Sequence, residues 1–106
     1  MHTTPWLDEG KKLIGTHEAT AEGRKAVDDM WRDFRMSGLV GTSTTTPWCS
    51  AFVGACLERA GIPTRIKNAN FSKDNSRYWL DFGSILDTPK YGCIVVFSRN
   101  GGGHVG

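Results

Sequence analysis

The chain has no apolar run approaching the roughly 20 residues that a membrane-spanning helix needs. Its opening, MHTTPWLDEGKK, lacks the apolar stretch of a secretory signal, so cytoplasmic synthesis without a signal peptide and no membrane insertion are expected. Charge of one sign is also missing. The formal net charge is +2 and the basic residues are spread along the chain, which argues against a nucleic-acid-binding stripe. There is no internal repeat and no low-complexity linker, since the 13 glycines and four prolines are scattered. One domain, residues 1–106, is expected. Cysteine is scarce and odd in number, three in all, which disfavours a complete disulfide framework. Cys49 and Cys56 on one helix would lie roughly 10 Å apart, beyond the reach of a disulfide.

Helical patterns fill most of what is present. In TTPWLDEGKKLIG, Thr4 is placed as a cap and Pro5 at the first helical position, with Trp6, Leu7, Leu13 and Ile14 on the buried side. A loop around THEATAEG follows. Val27, Met30, Trp31 and Phe34 then recur at helical spacing up to a stop at Gly38. After the loop LVGTSTTT, the third helix is placed with Thr46 as N-cap, Pro47 first and Cys49 third. Its apolar face is Trp48, Phe52, Val53, Cys56, Leu57 and Ala60, and Gly61 with Pro63 ends it. SRYWLDFG reads as a short helix closed by Gly83. CIVVF is expected to be a buried strand, SRNGGG a hairpin turn, and HVG the start of a partner strand. Helices first and antiparallel strands after them predict an α+β domain.

Cys49 is the residue with the most chemical promise. A sulfur in the first turn of a helix sits near unpaired N–H groups and the positive end of the helix dipole, which stabilise negative charge on it. A cysteine nucleophile also needs a base. His2 stands at the N-terminus and His17 in a loop, whereas His104 opens a strand and can be aimed from a rigid element. Cysteine at a helix start facing histidine on a neighbouring strand is the arrangement of cysteine acyl-transfer catalysis, with the N–H of Cys49 as oxyanion donor. The bland alternative is that Cys49 is core filler, as expected of Cys56 and Cys93, and that His104 is structural. A zinc site from Cys49, Cys56, Cys93 and His104 is a third option, weakened by the absence of any close C-x-x-C pair. Trp6, Trp31, Trp48 and Trp79 read as core first and groove lining second.

The blocks PWL at 5–7, PWCSAFV at 47–53, LERAGI at 57–62, YWL-x2-G at 78–83, P-x2-G-x-IVVF at 89–97 and GGHVG at 102–106 together resemble the CHAP and NlpC-type cysteine amidase/peptidase superfamily. Within it, the likeness is to small phage-type proteins that cleave peptidoglycan. The resemblance runs over nearly the whole chain. It implies a papain-like fold, a helical N-terminal half packed on an antiparallel sheet. It also implies Cys49 as nucleophile, His104 as general base, and an amide bond in or next to the peptidoglycan stem peptide as the substrate. A substrate groove is assigned to Trp48, Ser50 and Trp79. No metal and no organic cofactor is called for. An enzyme of this kind would act on the cell wall after release or delivery, as a phage lysin or as a secreted toxin effector.

The sequence departs from that pattern in two places. Cys93 stands where relatives usually carry Asp after the glycine before IVVF. Relatives also orient the histidine with a third polar residue on a later strand, while only Val105 and Gly106 follow His104. The sheet is therefore expected to be truncated, with nothing after His104 to hold its strand. The alternative function is an inactive or incomplete cell-wall-binding fragment whose sheet a second polypeptide completes.

Overall fold

Helix α1 spans Pro5–Lys11, α2 spans Ala21–Asp33 and α3 spans Cys49–Arg59; strands β1 (Val96–Arg99) and β2 (Gly102–Val105) close the chain as an antiparallel hairpin. Short 3-10 turns at Ser37–Leu39 and Ser76–Asp81 lie between them. The structure is a computed structural model and describes residues 4–106, so His2 lies outside the described residues. The chain is a compact α+β domain with a small two-stranded sheet. No helix among the described residues is long and apolar enough to cross a membrane.

Helix α2 starts before the sequence pattern suggests. The Thr20 side chain accepts the N–H of Gly23 at 2.9 Å, an N-cap bond that draws Ala21 and Glu22 into the helix. His17 serves this cap, since its carbonyl accepts from Thr20 and its Nδ1 accepts from the Ala19 N–H. The helix ends at Asp33 and not at Gly38, with Arg35, just past the Phe34 C-cap, at φ 61°; Met36 N–H returns to the Trp31 carbonyl at 2.8 Å. The expected face is correct, with Val27, Met30, Trp31 and Phe34 all fully buried.

Helix α3 is the central element. It packs on α1, α2, the 76–81 turn and β2. Seven of its eleven residues are buried, so it is covered nearly all round. Gly54 lets α2 approach, because a Cβ there would fall 2.2 Å from the Phe34 ring. The helix ends as expected: Gly61 takes φ 81° and Ile62 N–H bonds the Leu57 carbonyl at 2.9 Å.

Two expectations about burial fail. Ile14 is 82% exposed, because α1 ends before it and the chain turns at 12–15. CIVVF is not a buried strand. Only its last two residues enter β1, and Val95 and Phe97 are exposed, because one face of a two-stranded ribbon packs on the core and the other stays open. Val105 and Val96 form the inward pair, with Val105 1% exposed.

Candidate active site

An open cleft of about 620 Å³ runs between the start of α3, the threonine-rich loop before it and the outer face of the hairpin. Cys49, Trp48 and Thr46 line it from the start of α3 and the segment before it, His104 and Arg99 from the hairpin, and Leu13 and Glu18 from the region between α1 and α2. Cys49 and His104, 55 positions apart in sequence, therefore share one cavity.

Cys49 is the first residue of α3, not the third. Thr46 is no cap: it stands two residues before the Trp48 N-cap, in a turn where the Thr42 carbonyl takes the N–H groups of Thr45 and Thr46 at 2.9 and 2.8 Å. Trp48 occupies the N-cap position and offers no side-chain acceptor. The first helical bond runs from Phe52 N–H to the Trp48 carbonyl at 3.0 Å, so the N–H groups of Cys49, Ser50 and Ala51 precede the ladder. The Cys49 side chain, half-buried, sits at this donor-rich end.

His104 is presented by the hairpin. It pairs with Phe97 across the two strands and its ring stacks on the Phe97 ring, with centroids 6.1 Å apart and planes 24° from parallel. Because Val105 points inward, His104 points outward, over the cleft. The strand is held on both sides of the histidine. Gly106 exchanges two backbone hydrogen bonds with Val95, at 2.7 and 3.0 Å, so the expectation that nothing after His104 would hold its strand is corrected. Among the described residues the imidazole makes no hydrogen bond, and none joins it to the Cys49 sulfur. Unliganded acid–base sites are commonly this loose.

Ser50 and Trp79, assigned to the groove, belong instead to the core. Ser50 is fully buried; its hydroxyl donates to the Lys73 carbonyl and accepts the Trp79 indole N–H at 2.8 Å. Trp79 is 3% exposed and stacks on Phe34 at 5.7 Å. Residue 50 is one step round the helix from Cys49, about 100°, which turns it inward. Trp48 remains at the cleft. The other cysteines are elsewhere. Cys56 is buried on α3, where loss of water pushes its thiol up to about 11, the nearby Arg59 opposing this only in part. Cys93 lines a separate apolar cleft with Trp6, Ile85 and Val95. The four residues of the zinc option therefore do not converge, and no group of three or more metal-ligating side chains forms among the described residues.

Arg99 and Glu18 in the cleft, and Phe97 behind the histidine ring, are features that the sequence does not single out. The sequence places Arg99 in the SRNGGG turn, but the turn itself is Asn100–Gly101 and Arg99 is the last residue of β1. Its signal was the strand alternation from Phe97, which places both residues on the histidine's face.

No protein-family model, no curated protein and no solved structure matches this chain.

Proposed function

We propose that the protein is a papain-like peptidoglycan hydrolase that cleaves an amide bond in or next to the stem peptide. The observation that carries this reading is the single cleft lined by Cys49 at a helix start and His104 on a strand. The ordered PWCSAF and GGHVG blocks supply the substrate class through their resemblance to the CHAP and NlpC-type enzymes.

In this mechanism His104 removes the Cys49 thiol proton as the sulfur attacks the amide carbonyl. The oxyanion is met by N–H groups at the start of α3, which have no helical partner. Collapse of the tetrahedral intermediate breaks the C–N bond, and the imidazolium returns its proton to the departing amine. Water, deprotonated by His104, then hydrolyses the thioester and regenerates the thiol. The open cleft, with the hydroxyls of Thr44, Thr45 and Thr46 along one wall, suits an extended polar polymer.

A zymogram on purified cell walls tests the reading. The protein should clear the gel, and Cys49→Ala and His104→Ala should each lose about a thousandfold or more in rate while keeping the native circular dichroism. Clearing that persists in Cys49→Ala would overturn the mechanism.

The second reading is a wall-binding domain that needs further strands from a partner. Its support is the exposure of the apolar side chains Ile85, Tyr91, Val95 and Phe97, together with a two-stranded sheet whose outer edges are free among the described residues. It predicts that the protein sediments with walls without clearing them.

A further inference from the structure

Arg99 and Glu18 line the same cleft as Cys49 and His104, yet neither charge is paired within the protein among the described residues. The ion pairs that do form join α1 to the residue after it, run along α2, or link α2 to α3. Arg24, six positions from Glu18, gives its guanidinium N–H to the Glu18 carbonyl oxygen at 3.1 Å and not to the carboxylate. Two unneutralised charges of opposite sign thus stand on the cleft walls, beside a nucleophile and a base.

We propose that Arg99 is a specificity residue that binds a carboxylate close to the scissile amide, so that the cleft selects peptides carrying a free carboxylate there, with a cationic group toward Glu18. This rests on the hydrolase reading of Cys49 and His104. The strand register supports it. Phe97 pairs with His104 and Arg99 with Gly102, so Arg99 and His104 are diagonal neighbours on one face of the hairpin. Such neighbours stand about 7–8 Å apart. An extended peptide covers that distance in about two residues, so the carboxylate and the attacked carbonyl fit one short segment.

Local space is suitable as well. Gly102, opposite Arg99, has no side chain to compete for the guanidinium, and even an added Cβ there would meet nothing within 4 Å. A planar guanidinium can grip a carboxylate with two parallel hydrogen bonds, a geometry that lysine cannot reproduce. The carboxylate is thereby recognised by charge and by shape.

The test separates binding from turnover. Cys49→Ala protein, which cannot form the thioester, is titrated with a synthetic stem peptide containing a γ-linked glutamyl residue. The peptide is made once with its α-carboxylate free and once as the carboxamide. The acid should bind about ten- to a hundredfold more tightly at low salt, and this ratio should shrink as salt is added. Adding Arg99→Gln should bring the ratio close to one, while Arg99→Lys should keep part of it. In the same background, Glu18→Gln should remove the preference for a free over an acetylated peptide amine. Equal affinity of Cys49→Ala for acid and amide would overturn the proposal, as would a ratio that survives Arg99→Gln in a protein of native circular dichroism. Wall clearing by the wild-type protein is scored independently. Lost clearing with a retained acid preference would count against the hydrolase reading alone, and clearing without that preference against Arg99 alone.

Discussion

The imidazole of His104 lies nearly parallel to the ring of Phe97, its direct cross-strand partner, with 6.1 Å between centroids. Because no hydrogen bond among the described residues orients the histidine, this stack is its main lateral support. Phe97 is 54% exposed, so its truncation should cost little stability, about 1 kcal/mol or less. Phe97→Ala should nevertheless slow wall hydrolysis by about tenfold, because a misaimed base loses rate without loss of fold. Phe97→Tyr should restore most of it. Initial clearing rates, compared with thermal melts of the same samples, measure both effects.

The three thiols differ in setting, and a reactivity ranking follows. Cys49 is half-buried at a helix start that opens on the cleft, whereas Cys56 is held in the core. Iodoacetamide near pH 7 should label Cys49 first and Cys56 last, with peptide mapping by mass spectrometry as the readout. Labelling of Cys56 ahead of Cys49 in folded protein would contradict the packing described for α3.

Cys56 also sets an alkaline limit. Its folded thiol is raised to about 11 by burial, above the ordinary cysteine value, so the fold favours the protonated form. The contribution is fully present below the unfolded pKa of about 8.5–9 and is lost as pH rises toward 11. Two pH units correspond to about 2–3 kcal/mol. Tyr78, raised in the same direction by burial, adds to the slope. Urea midpoints measured from pH 8 to 11 should fall, and Cys56→Ala, less stable at pH 8, should show a flatter decline.

Ser50 holds two elements together through one oxygen. Its hydroxyl meets the Lys73 carbonyl on one side and the Trp79 indole on the other, all within the core. Ser50→Ala would leave both partners unsatisfied, at a cost of about 1–3 kcal/mol. For a domain of this size the melting temperature should drop by roughly 5–20 °C. Ser50→Ala combined with Trp79→Phe should recover part of the loss, since the orphaned indole N–H is then gone.

Much of the architecture was legible in the chain. The spacing of Val27, Met30, Trp31 and Phe34 defined one helix face, and Gly61 before Pro63 defined the end of α3, because both signals are local. The helices-then-hairpin order likewise indicated an α+β domain. Three things depended on tertiary structure. Ser50 and Trp79 turned inward because α3 is surrounded, and a helix buried on all sides has no polar face by which its periodicity can be read. The apolar CIVVF run stayed half open because two strands have only one face to cover. Finally, the meeting of Cys49, His104, Arg99 and Glu18 in one cleft arises from the packing of the hairpin against α3. Distances between side chains so far apart in sequence are set by that packing, and no local pattern encodes them.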